Sequence, residues 1–134
     1  MRFHHVAYVT RDITRKAEQL TALLGFRQTG PAIVDTAQGV RCIFMDIGDG
    51  ALIELLEPHG ENSPVQRHLD KGGGIFHTCY EVDDLDETLR KLGETDRAIV
   101  VRDPIPAPAI GHRRIAFVVT EDRDLLEFVE AKRR

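Results

Sequence analysis

His5-Val6-Ala7-Tyr8 and His77-Thr78-Cys79-Tyr80 share a pattern, and each opens a longer segment organised in the same way. Both runs alternate as half-buried strands do. An aspartate follows each, Asp12 in the first segment and Asp84 in the second. Apolar residues at helical spacing come next, Ile13, Ala17, Leu20, Leu23 and Leu24 in one and Leu85, Leu89 and Leu92 in the other. An aspartate suits the start of a helix because its carboxylate accepts the open N–H groups of the first turn. Gly25 and Gly93 are the expected ends. Further on, Leu52-Ile53-Glu54-Leu55 lies over Leu125-Leu126-Glu127-Phe128.

The intervening stretches complete the repeat. Strands are expected over 2–10, 26–35, 40–47 and 51–57 in the first half, with turns at Gln38-Gly39 and Gly48-Asp49-Gly50. The second half gives strands over 75–82, 98–102, 113–120 and 125–131, with Pro104, Pro106 and Pro108 read as a stiff loop. Ser63-Pro64 is expected to open a short helix reaching Lys71, and Gly72-Gly73-Gly74 to break the chain after it. The fold class is α+β: two tandem βαβββ modules forming a curved, cupped mixed sheet with helices on the outer face. One domain over 1–134 is expected, with a first module at 1–57, a linker at 58–74 and a second module at 75–134. Half a chain of this size buries too little surface to be comfortable alone, so the modules should share a core or pair between chains.

Composition narrows the function. The chain has 134 residues, 30% of them charged, with a net charge of −4, so a basic nucleic-acid-reading face is excluded. The basic end Lys132, Arg133 and Arg134 reads as a solvated terminus. No apolar run approaches the roughly 20 residues of a membrane span, and Met1-Arg2-Phe3-His4-His5 lacks the apolar core of a signal peptide, which points to the cytoplasm. Cys42 and Cys79 fit neither a disulfide framework nor a CxxC site and are expected as buried thiols. Walker, GxGxxG and GxSxG motifs are absent.

Each repeat places one histidine on its first strand and one glutamate on its last. Alternation sets His5 on a face with Phe3, Ala7 and Val9, and Glu54 on a face with Leu52 and Leu56. A glutamate among leucines needs a partner. His5, Glu54, His77 and Glu127 together read as ligands of one divalent metal ion (Co, Ni, Mn, Fe or Zn), with about two positions left for water or substrate. The bland reading is two packed strand histidines and two solvent-facing glutamates; the register of all four across the duplication favours the metal. His4 aligns with Phe76 and reads as a packing residue. His68 and His112 read as surface residues, and Arg113 and Arg114 as contacts for an anionic substrate or as surface ion pairs.

The runs His5-Val6-Ala7-Tyr8-Val9 with Asp12-Ile13, Ile53-Glu54-Leu55-Leu56-Glu57-Pro58, and Gly73-Gly74-Ile75-Phe76-His77 with Glu81-Val82-Asp83-Asp84-Leu85 resemble the vicinal oxygen chelate superfamily. That superfamily takes in glyoxalase I, extradiol dioxygenases and fosfomycin or bleomycin resistance proteins. Gln38-Gly39-Val40 and Asn62-Ser63-Pro64-Val65, leading through His68-Leu69 to the glycines, are most similar to the methylmalonyl-CoA epimerase family within it. The resemblance implies His5, His77 and Glu127 as metal ligands and Glu54 at a fourth position that epimerases fill with Gln or Glu. It also implies abstraction of an α-proton from a metal-chelated acyl thioester such as methylmalonyl-CoA, with Glu127 as the first candidate base. Epimerases carry a second acid shortly before Gln-Gly-Val; here Ile33, Val34 and Ala37 occupy that neighbourhood and Asp35 is its acidic member. The resemblance also implies a longer loop in epimerases at the place of 109–114. The same His-Glu-His-Glu order occurs in nickel-type glyoxalase I, so a lactoylglutathione lyase is the alternative, followed by a small-molecule-binding resistance protein. A homodimer is expected, since short modules leave sheet edges and apolar helix faces to cover.

Overall fold

The computed structural model describes residues 1–133. Its elements follow the expected order: β1 (Arg2–Val9), α1 (Ile13–Leu24), β2 (Arg27–Gln28), β3 (Ile33–Asp35), β4 (Val40–Asp46), β5 (Leu52–Pro58), α2 (Gln66–Asp70), β6 (Gly74–Val82), α3 (Leu85–Glu94), β7 (Ala98–Ala107), β8 (Arg113–Thr120) and β9 (Leu125–Glu130). In each unit the strands pair in a mixed, open arrangement of parallel and antiparallel neighbours. No helix among the described residues is long and apolar enough to cross a membrane.

The chain divides into two compact units, His5–Phe76 and a second made of Met1–His4 with the chain from His77 onward. In the first, β1 pairs with β5 in parallel and β5 with β4 antiparallel, while β2 and β3 both pair with β4. Helix α1 covers a core of Ile13, Ala17, Ile43, Met45 and Leu55. Asp12 accepts the N–H of Arg15 at 3.0 Å, and Gly25 closes the helix at φ 71 with its N–H on the carbonyl of Thr21. In the second unit, β6 pairs with β9 in parallel, β9 with β8 and β8 with β7 antiparallel. Helix α3, capped by Asp84 on the N–H of Glu87, covers Val82, Leu85, Ala116, Val118 and Phe128.

Five local expectations are corrected. The strand expected over 26–35 is broken into β2 and β3 around Gly30-Pro31, where a proline has no N–H for the ladder. Helix α2 starts at Gln66, three residues after Ser63, whose hydroxyl donates to the carbonyl of Gly39 at 2.5 Å and accepts the N–H of Val65 at 3.4 Å. Helix α3 continues through Gly93 to Glu94 and is closed by the N–H of Thr95 on Leu92. Strand β7 runs on through Pro104 and Pro106, with register shifts, which an edge strand tolerates because its outer groups need no partner strand. Phe3 does not share the burial of His5, Ala7 and Val9: it is 50% exposed at the strand's start.

Candidate metal centre

The first half of the site is set by the pairing of β1 with β5. Ala7 stands opposite Glu54, so His5, two residues back on the same face, reaches the glutamate diagonally. Its Nε2 lies 3.3 Å from Glu54 Oε1, and both residues are buried. Phe44, opposite Glu54 on β4, packs its ring edge-on against the His5 imidazole, with centroids 5.2 Å apart.

The second half repeats this term for term. Cys79 stands opposite Glu127, and His77 lies two residues back. His77 Nε2 is 3.4 Å from Glu127 Oε1, again with both residues buried. Phe117, opposite Glu127 on β8, holds the His77 ring at 5.1 Å between centroids. The spacing of Phe44 from Phe117 equals that of Glu54 from Glu127, a signal in the sequence that the histidines and glutamates overshadowed.

The donors fit a divalent ion. Bonds of about 2.0–2.2 Å at right angles put neighbouring ligand atoms about 3 Å apart, close to the separation within each pair. Two imidazoles and two carboxylates suit first-row metals. Each unit thus supplies one imidazole and one carboxylate of metal-ligating type, His5 with Glu54 and His77 with Glu127.

Asp35 is buried beneath the β3–β4 turn. One carboxylate oxygen accepts the backbone N–H of Gln38 at 3.0 Å and the other accepts its side-chain amide at 2.7 Å. The next residue, Gly39, accepts from both the Ser63 hydroxyl and the N–H of His59, so the Gln38-Gly39 and Ser63-Pro64 motifs meet. His68 is no surface residue: its ring packs edge-on against Phe76 and its Nε2 is buried. His112 is exposed, and Cys42 and Cys79 are buried thiols.

Arg113 and Arg114 are both engaged. Arg113 donates to Glu81 at 2.6 Å, to the carbonyl of Glu130 and to His4 Nε2 at 3.1 Å, which orients the His4 ring. Arg114 grips Glu130 and Asp86. Arg113 first, then Arg2, holds the Glu81 carboxyl below its ordinary value of 4.5. Arg114 does the same for Glu130, assisted by the N–H of Leu85. A carboxyl depressed in the folded state contributes stability above its ordinary value and loses it as pH falls through the depressed one. The urea midpoint should therefore be flat from neutrality down to the ordinary carboxylate range and fall below it. Glu81→Gln should lower the neutral midpoint and flatten the acid limb; an unchanged acid slope would remove Glu81 from this account.

Over residues 4–117 the sequence matches the Glyoxalase/Bleomycin resistance protein/Dioxygenase superfamily. It is 36% identical over 101 residues to the ethylmalonyl-CoA/methylmalonyl-CoA epimerase of Cereibacter sphaeroides, covering 74% of each chain. The methylmalonyl-CoA epimerase structure from Mycobacterium tuberculosis superposes with a TM-score of 0.86 at 28% identity, over 98% of this chain and 89% of that one. A variant of the Streptomyces coelicolor methylmalonyl-CoA epimerase, in complex with 2-nitronate-propionyl-CoA, gives 0.86 at 28% identity over 99% of both chains. With its paired histidines and glutamates in duplicated register, the chain belongs to the glyoxalase/bleomycin resistance/dioxygenase superfamily and has methylmalonyl-CoA epimerases among its homologues.

Proposed function

We propose that the protein is a divalent-metal-dependent epimerase that removes and returns the α-proton of a 2-carboxyacyl-CoA thioester such as methylmalonyl-CoA. The observation that carries this reading is the pair of buried His–Glu contacts in identical register, His5 with Glu54 and His77 with Glu127. The homologues' names and the acyl-CoA analogue bound to a related epimerase support it. In this reading all four residues hold one ion. When bound, the ion would supply Lewis-acid stabilisation of the negative charge that develops on the substrate oxygens.

The remaining work falls to the chain. Glu127 takes the α-proton on a carboxylate oxygen, and its burial keeps competing water away from that oxygen. The rings of Phe44 and Phe117 hold the two imidazoles against rotation. Asp35 is the proposed second acid, its two carboxylate oxygens held by the backbone N–H and the side-chain amide of Gln38. The chain is read as one domain of two modules, 1–57 and 75–134, joined by 58–74, acting as a homodimer. The buried thiols Cys42 and Cys79 suit the reducing cytoplasm.

The test is proton exchange. Metal-loaded protein in deuterated solvent should wash the α-proton out of methylmalonyl-CoA, Asp35→Asn should slow exchange from one epimer more than from the other, and metal-free protein should be silent. Turnover of the glutathione–methylglyoxal adduct without thioester exchange would replace this reading with a lactoylglutathione lyase.

A further inference from the structure

The two units agree at their histidines and glutamates but differ just beside them. In the first, the register of β1 with β5 sets Leu52 opposite His5, and β4 sets Asp46 opposite Leu52. In the second, Thr78 pairs with Leu126, which puts Leu125 beside His77, and β8 sets Val119 opposite Leu125. Leu52 and Leu125 stand two residues before Glu54 and Glu127, each on the face of its carboxylate. The leucine is thus repeated, while its cross-strand neighbour changes from a charged residue to an apolar one.

Burial marks the open end of each pair. Leu56 and Val129, two residues after the glutamates, are buried, whereas Leu52 and Leu125 are half-buried. Past Glu127 the face is closed by Cys79, Ala107, Ile115 and Val129, so a ligand comes to this carboxylate from the Leu125 side. There Leu125 and Val119 are both apolar and half-buried. The matching shoulder of the first unit stays wet: Asp46 faces the Arg27 guanidinium at 3.8 Å and accepts the N–H of Gly48. Residues two apart on a strand are separated by about 7 Å, so a carbon that hands its proton to Glu127 holds its own substituent within reach of Leu125.

We propose that Leu125 and Val119 seat the α-alkyl group of the substrate and that Leu125 sets the largest group accepted, an inference that rests on the epimerase reading above. The group is a short saturated chain. Two apolar side chains favour aliphatic carbon over a polar substituent, and the Leu125 side chain occupies the space that a longer chain would need. The shoulder at Leu52 does not take this group, because alkyl carbon placed there would strip water from Asp46.

The test compares methylmalonyl-CoA with ethylmalonyl-CoA as substrates of the metal-loaded full chain. Leu125→Ala should raise the ratio of kcat/KM for the ethyl over the methyl compound about tenfold, the scale of one methylene in an apolar pocket, and Leu125→Phe should lower it. Metal content should stay at that of the parent protein in both variants, and Leu52→Ala should leave the ratio where it was. An unchanged ratio in Leu125→Ala with its metal retained, or an equal shift in Leu52→Ala, would overturn the proposal. If neither thioester exchanges its α-proton, the epimerase reading fails on its own, and calorimetric titration of methylmalonate and ethylmalonate still decides the seat. Leu125→Ala must then shift relative affinity toward ethylmalonate by about the same factor, and equal affinities before and after the substitution would sink the assignment.

Discussion

Glu127→Ala is expected to abolish α-proton exchange, a loss of about a thousandfold or more, and to bring bound metal well below one equivalent per chain. Both effects follow from asking one carboxylate to ligate and to accept a proton. Glu127→Gln separates them. Its amide oxygen can still ligate, so metal content should largely persist, whereas an amide cannot take the proton and exchange should stay lost. Glu54→Gln should behave differently, retaining both metal and exchange within about tenfold, since an amide oxygen can replace a carboxylate oxygen as a ligand. The His5→Ala/His77→Ala double variant removes both imidazoles, and elemental analysis should find it metal-free. Stoichiometric metal in that protein would defeat the four-ligand assignment whatever the activity.

Gly73→Ala should cost about 3 kcal/mol of stability, enough to move a urea midpoint by more than 1 M in a chain of this size. Gly73 sits at φ +71, where an alanine is strained by about 1–2 kcal/mol. A Cβ there would also come within 2.6 Å of the carbonyl oxygen of Val9, so β1 or the linker must move. Gly72 provides the control. It too has a positive φ, but nothing lies within 4 Å of its Cβ position, so Gly72→Ala should show the backbone cost alone. Equal losses for the two variants would mean that the approach to Val9 is unimportant.

The repeat was legible in the sequence because its carriers are strongly patterned. Asp12 and Asp84 are helix caps as read, and the histidines and glutamates singled out by the repeat lie in pairs, His5 at 3.3 Å from Glu54 and His77 at 3.4 Å from Glu127. What stayed hidden depended on partners distant in sequence. Ser63 has the chemistry of a cap, yet its hydroxyl joins the carbonyl of Gly39 to the N–H of Val65, ahead of the helix. Gly93 has the chemistry of a stop, yet helical hydrogen bonding carries on to the Thr95 cap. Arg113 could not be assigned between substrate and ion pair because Glu81 and His4 reach it only through the sheet. Phe44 and Phe117 sit opposite the two glutamates by strand register, and register is what a single sequence states least directly.

Strand β7 leaves an exposed run, Ile99, Val100 and Val101, at the rim of an open sheet. Such a run invites a strand from another chain to add on, and repeated addition makes fibres. Pro104 and Pro106 deny an incoming strand two N–H donors directly downstream, and the register shifts after Val100 and Arg102 bend the backbone away from a straight template. Any added strand would therefore find a ladder only a few residues long. The edge at β7 is in this way guarded against repeated strand addition, and replacing both prolines with threonine would trade that resistance for a longer, stickier rim.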